Sequence, residues 1–166
     1  TMEVILVSPL KPFRIIIAKT IPYLAVSIFN IACILLLSVY VLNVPINGSL
    51  VLLVLESILF TITALAIGIL ISNGAKTQQS AMFTSLLSLF LPTLLFSGFL
   101  FPIESMPWPL QVISNIVPAK WYYIIVESVM IKGLGFWAVW KETLILIIMT
   151  LALLGISIRN FKIRLA

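Results

Sequence analysis

The stretch SGFLFPIESMPWPLQVISNIVPAKWYYIIVESVMIKG, Ser97–Gly133, lies between two long apolar runs and is divided by Pro102, Pro107, Pro109 and Pro118. A proline inside a helix removes a backbone donor and its ring meets the preceding turn, so helices end or bend there. Leu110–Val117 sets Leu110, Ile113, Ile116 and Val117 on one side and Gln111, Ser114 and Asn115 on the other. Ala119–Lys132 keeps Lys120, Tyr123 and Glu127 on one stripe among Trp121, Tyr122, Ile125 and Val129. Both patterns predict amphipathic helices. Neither reaches the roughly 20 apolar residues that a bilayer crossing needs. Two such pieces between true spans fold part-way back into the membrane edge. Non-helical backbone at that depth is tolerated only under cover of protein or a water-filled cavity.

Composition sets the same frame. The chain has 166 residues, 62% hydrophobic and 9% charged, against about 25% charged in ordinary soluble domains. A water-facing surface of normal polarity cannot be built from it, so the chain is an integral membrane protein. The formal charge of +5 sits on basic residues beside the apolar runs. That is the pattern of membrane flanks rather than of a nucleic-acid surface. The single cysteine, Cys33, cannot close an internal disulfide. There is no histidine, and all five acids are glutamates. No catalytic triad, paired-aspartate site or metal cluster is expected, and no phosphate-binding G-x-x-x-x-G-K-[ST] loop occurs. The chain is not read as an enzyme.

Working outward, the expected spans are 21–42, 50–71, 81–101 and 143–158. Pro22 stands in the first turn of the first, where it costs little. Asn30 faces either a neighbouring helix or a pathway. In the second span Ser57, Thr61, Ala64 and Gly68 form a small-residue stripe that admits a close helix. Glu56 is the lone acid inside an apolar run; such a group costs about 2.5–3.5 kcal/mol to insert and is a functional candidate. The alternative for Glu56 is a role at the outer interface or a pairing with Lys120 or Lys132. Residues 72–80 read as a polar loop. The third span carries Ser85, Ser88 and Pro92, with a kink expected where Pro92 cannot donate to Ser88. Ser85, Ser88 and Pro92 either repair that kink or line a pathway. The last span is short, with Phe136, Trp137 and Trp140 as an interfacial belt before it.

Orientation follows from Lys and Arg. Seven of them (Lys11, Arg14, Lys19, Lys76, Arg159, Lys162, Arg164) flank one set of ends, and three (Lys120, Lys132, Lys141) the other. Both termini are therefore expected in the cytoplasm and Ser97–Gly133 outside. The fold class is all-α: a polytopic membrane protein with four transmembrane helices and two short re-entrant or amphipathic outer helices.

The order Ser97-Gly98, Phe101-Pro102, Glu104, Met106-Pro107, Gln111, Pro118, Trp121-Tyr122-Tyr123 and Lys132-Gly133 resembles the signature of type-2 ABC exporter permeases. The likeness extends over essentially the whole chain, 1–166, read as the C-terminal portion of one transmembrane domain. It implies that 102–133 form an outer gate, with Phe101, Pro102, Glu104, Met106 and Pro107 at its core. It implies that residues 1–20 are a cytoplasmic coupling segment resting in a cleft of an ATPase subunit. Glu3, Leu6, Ser8, Pro9, Arg14 and Lys19 are its contact residues; Ala18 stands where the family often has glycine. Ser8 also suits an N-cap with Pro9 after it. A basic helix lying on anionic lipid is the other reading of this segment.

The resemblance further implies ATP and Mg in separate ABC ATPase partners, none in this chain. A second permease copy or a paired homologue would complete a dimer in a bacterial cytoplasmic membrane. The cargo would be drug-like or lipid-like, or in the same family a glycolipid or polysaccharide. A channel or an ion-coupled carrier using Glu56, and a membrane scaffold, are readings from other classes. The topology predicts that cysteines placed at Ser105 and Ser114, in a Cys33→Ser background, react with an impermeant thiol reagent from outside. Labelling only from the cytoplasmic side overturns it.

Overall fold

The computed structural model describes residues 12–75 and 77–159, with the side chains of 20–75, 77–157 and 159. Among the described residues the chain is helical, without strands. Helix α1 is Pro12–Tyr40 and α2 is Leu50–Gly74. Next come α3, Gln78–Ser85, a π-turn over Leu86–Phe90, and α4, Leu91–Phe96. A 3-10 turn at Ile103–Ser105 precedes α5, Trp108–Ser114, and α6, Pro118–Val126. A second π-turn, Glu127–Ile131, extends α6, and α7 is Phe136–Arg159. Four helical stretches are long and apolar enough to cross a membrane: Thr20–Tyr40, Leu50–Gly74, Gln78–Phe96 and Phe136–Ser157. The all-α polytopic expectation stands.

Several boundaries differ from the sequence reading. The first helix runs unbroken through Pro22, and Arg14 and Lys19 lie on it. Residues 72–80 are mostly helical: α2 continues to Gly74, and Thr77 starts α3 with a reciprocal capping box to Ser80. The third span stops at Phe96 and does not reach residue 101, because the chain turns at Gly98 with φ +89°. The strain expected at Pro92 is taken up by the π-turn just before it. The last span begins at Phe136, seven residues before Thr143, so the aromatic belt is its own first turn. That longer start leaves Trp137 86% exposed and Val139 buried. Ser105 is exposed, but Ser114 is fully buried. The outside-labelling position is therefore Ser105, and a cysteine at Ser114 is expected to resist the reagent.

The centre of the molecule is the packing of α2, α6 and α7. Leu53, Ile125, Val129, Met130, Val139 and Leu146 form its apolar core, with Leu59, Trp121 and Tyr122 against it. On α7 the buried positions are Val139, Thr143, Leu146, Thr150 and Ser157. Their three- and four-residue steps make one seam along the helix. On α2 the buried set is Leu53, Glu56, Ser57, Thr63 and Ala66. Of the small-residue stripe, Ser57 belongs to this seam but Gly68 does not: nothing lies within 4 Å of a Cβ built at Gly68. Helix α1 packs on α2, α3 on the far end of α2, and α4 on α5 and α6. No residue of the hydrophobic windows of α1 or of α3–α4 is buried within the chain.

The outer loop between α1 and α2 is clamped to the end of α6. A π-turn widens the helix, and its last carbonyls lack partners in the next turn. Asn47 takes two of them: its N–H donates to the Met130 carbonyl at 3.1 Å and its Nδ2 to the Ile131 carbonyl at 2.8 Å. Gly133 ends the helix with φ +67°, and Leu134 N–H closes back on the Ser128 carbonyl at 2.9 Å. At Gly48 a Cβ would run into the Val129 carbonyl oxygen, which is backbone and cannot swing aside. Gly48→Ala is expected to lower stability by about 1–3 kcal/mol, the usual cost of overpacking. Gly68→Ala, into open space in mid-helix, is expected to be neutral or stabilising by up to about 1 kcal/mol. Thermal unfolding of both variants in one detergent checks the contrast; equal losses would contradict the clamp.

Candidate functional site

Two regions hold the residues that matter: a polar ladder along the α2–α7 seam, and the outer assembly from Phe99 to Gly133. The ladder has three rungs. Thr143 Oγ1 lies 2.7 Å from Glu56 Oε1. Thr63 and Thr150 hydroxyls meet at 2.6 Å. Asn73 Nδ2 donates to the Ser157 carbonyl at 3.3 Å. On α7 the rungs stand seven residues apart, two turns of helix, and both helices ascend in the same direction. Each hydroxyl also lies within hydrogen-bond distance of a carbonyl one turn back on its own helix, Thr143 of Val139, Thr150 of Leu146 and Thr63 of Leu59, and at the middle rung one threonine gives its hydrogen to the other.

Glu56 forms the outermost rung. Its side chain is 3% exposed, and Oε2 is buried without a hydrogen-bond partner. Neither lysine pairs with it. Lys132 binds Glu127 at 3.0 Å, the one ion pair among the described residues. Lys120 Nζ donates to Asn115 Oδ1 at 2.7 Å and to Ser114 Oγ at 3.3 Å, and lies over the Trp121 ring. Burial holds the Lys120 ammonium below the usual lysine range.

Next to Glu56, Ser57 Oγ donates to the Leu53 carbonyl at 2.7 Å and meets the Tyr122 hydroxyl at 2.8 Å. The serine proton is spent on the carbonyl, so Tyr122 is the donor between the two hydroxyls. Burial pushes the Tyr122 phenol up, so it remains a donor, while the Ser57 hydrogen bond opposes that shift. Its ring stacks on Phe60 with centroids 4.3 Å apart and planes 5° from parallel. Helix α6 is thereby fastened to α2 beside Glu56.

The outer assembly is stitched by its own polar groups. Gln111 Nε2 donates to the Met106 carbonyl at 2.8 Å, and Trp121 Nε1 to the Asn115 carbonyl at 3.0 Å. Phe99 meets Tyr123 edge-on at 6.3 Å. Of the predicted gate residues, Phe101, Pro102, Met106 and Pro107 line one apolar cleft of about 350 Å³ with Leu95, Phe96 and Leu110. Glu104 is exposed and does not line that cleft.

The other predicted residues are scattered. Asn30 is exposed on α1 and Ser88 on the π-turn, while Ser85 at the end of α3 and Pro92 in α4 are half-buried. None of these four hydrogen-bonds to Glu56, which belongs to the buried α2–α7 seam. Glu3, Leu6, Ser8 and Pro9 lie outside the described residues. Sequence reasoning missed Thr143, Thr150, Ser57 and Tyr122 as partners. A signal existed: Thr143, Thr150 and Ser157 recur every seven residues in an apolar run. Asn47 carried none, because its partners are carbonyls freed by a π-turn far along the chain.

The chain is similar to known transporters. Residues 1–159 match the family model described as ABC-2 family transporter protein. The Escherichia coli K12 protein named "Probable multidrug ABC transporter permease YbhS" is 34% identical over 80% of this chain and 35% of its own length. "Inner membrane transport permease YhhJ" of E. coli K12 is 31% identical over 98% of this chain and 43% of its own length. "ABC transporter G family member 23" of Dictyostelium discoideum is 31% identical over 99% of this chain and 24% of its own length. The chain thus spans less than half the length of these curated relatives. No solved structure matches it. With four bilayer-length helices, short outer helices carrying the Phe101-Pro102 to Lys132-Gly133 pattern, and a match over nearly its whole length, the chain belongs to the ABC-2 family of transporter proteins.

Proposed function

We propose that the chain is a permease part of an ATP-driven exporter that moves an amphiphilic or apolar cargo out of the cytoplasm by alternating access. The observation that carries this reading is the outer assembly. Its helices do not span: α6 packs on α2, α4 and α7, α5 packs on α4, and the segment from Phe101 to Leu110 lines an apolar cleft with Leu95 and Phe96 of α4. A lid of this kind can part from the spans without exposing a spanning backbone to lipid. The setting is a bacterial inner membrane, in keeping with the names of the E. coli relatives.

ATP, with Mg, binds in separate ABC ATPase subunits, and a second permease copy or homologue encloses the pathway. The unburied faces of α1 and of α3–α4 are where that second copy or lipid would lie. Asn30, Ser85, Ser88 and Pro92 are the pathway candidates on those faces. ATP drives the cycle only insofar as it binds one conformation more tightly than the other. A cargo with large apolar area fits the lining of the outer cleft. Glycolipid and polysaccharide cargoes would require more polar lining than this cleft offers.

The coupling assignment rests on charge placement and on the continuity of α1. Because Pro12–Tyr40 is one helix, force applied near Arg14 is transmitted along the whole first span. Glu3→Ala with Leu6→Ala in the full-length permease should leave membrane insertion intact, since the spans are untouched. It should abolish either ATPase pull-down or cargo-stimulated ATP hydrolysis in inverted vesicles. If both remain at the wild-type level, the segment is a lipid-surface helix instead. Cargo uptake that persists without any ATPase would favour an ion-coupled carrier.

A further inference from the structure

We infer that Glu56 is a proton-binding site: in this conformation its carboxyl group is neutral and donates a hydrogen bond to Thr143. Nothing in the transporter reading requires this, and it stands whether or not the cargo is correctly assigned. The argument is a count of hydrogens. Thr143 Oγ1 has one hydrogen and two close acceptors, Glu56 Oε1 at 2.7 Å and the Val139 carbonyl at 2.9 Å. Both are full hydrogen-bond lengths. The Val139 carbonyl can only accept. With Glu56 ionised the two contacts compete for the one threonine hydrogen; with Glu56 protonated the carboxyl group donates to Thr143, Thr143 donates to Val139, and both contacts carry a hydrogen.

The surroundings agree. Oε2 is buried and without a partner. A neutral carbonyl-type oxygen left so is a modest cost, whereas an ionised carboxylate there would be far more expensive. Among the described residues no cation pairs with Glu56. From α6 the nearby titratable group is Tyr122, which donates to Ser57 and not to Glu56. Lys120 is engaged by Ser114 and Asn115. Glu127 at the start of the π-turn and Lys132 just after it satisfy each other. From α7 Lys141 is exposed, and Glu142, itself with a buried unpartnered Oε2, adds an acid and no positive charge. From α1 the described titratable groups are Tyr23, Cys33 and Tyr40, none bonded to Glu56, and the described side chains of α3 include none.

Ionisation would break the carboxyl O–H bond, leave the electron pair on the carboxylate and pass the proton to water. The carboxylate would then accept from Thr143 only if Thr143 abandoned Val139. Release of the proton is thus tied to admitting water and rearranging the rung that joins α2 and α7, beside the anchor of α6.

The test is infrared difference spectroscopy on the full-length permease in phosphatidylcholine vesicles at neutral pH. Glu56→Gln keeps a donor to Thr143 while removing the acid. Wild type minus Glu56→Gln should show loss of a protonated carboxylic-acid carbonyl band that moves down in D2O. In Thr143→Val the same band should persist and move to higher frequency, because its hydrogen bond is lost. Loss of a carboxylate band in the first comparison would overturn the proposal. Should Glu56→Gln fail to fold, Thr143→Val decides alone: no change in the protonated-acid region refutes it.

Discussion

The parallel contact between α2 and α7 is the constraint on which the other elements depend. Lipid tails are as apolar as leucine, so burying apolar surface between helices gains little inside a bilayer. What remains is close packing and hydrogen bonding across the interface. The seam supplies both, with small or short side chains at Thr63, Ala66, Thr150 and Ser157 and three polar rungs between the helices. Interhelical hydrogen bonds in membranes average about 0.6 kcal/mol each, so the ladder contributes roughly 2 kcal/mol. That is too little to hold the bundle alone. Its larger effect is on register: sliding one helix by a turn strands Glu56, Thr63 and Asn73 against apolar neighbours. Glu56 costs more to insert, about 2.5–3.5 kcal/mol, than its rung returns. Its presence is therefore not explained by stability.

The outer assembly is built on this seam rather than beside it. Ile125 and Val129 reach its apolar core, Tyr122 stacks on Phe60 of α2, and Asn47 grips the π-turn that ends α6. Any motion that parts α2 from α7 at the outer end must also unseat α6. Helix α4 meets the assembly through Gly98, whose positive φ lets the chain reverse at the membrane edge where most side chains would be strained. The two π-turns serve different ends. One lets α3 continue into α4 across Pro92; the other presents the Met130 and Ile131 carbonyls to a loop more than 80 residues away in sequence.

The bare flanks of α1 and α3–α4 mark how much of the molecule's environment is not its own chain. Tyr23, Phe29, Phe83 and Phe90 are each more than half exposed. On a soluble domain such a surface would be an aggregation hazard. Here it is the face offered to hydrocarbon or to a second membrane subunit.

Much of this architecture was already determined by the residues in order. Low charge and long apolar runs compel spanning helices, since only helices or closed barrels satisfy their backbone in lipid. The prolines of Ser97–Gly133 dictate short outer pieces, and the Phe101-Pro102 to Lys132-Gly133 order carries the family resemblance. Helix ends were less legible. Phe136–Glu142 looks interfacial by composition, yet it is the first two turns of α7, because Val139 has α2 and α6 to pack against. Which polar residues meet was decided by tertiary structure alone. Glu56 could have faced lysine, water or a pathway; packing placed it opposite Thr143, a partner 87 residues on. A side chain's hydrogen-bond partner inside a membrane depends on which helix faces it. Periodicity along one helix identifies a face, but not its neighbour.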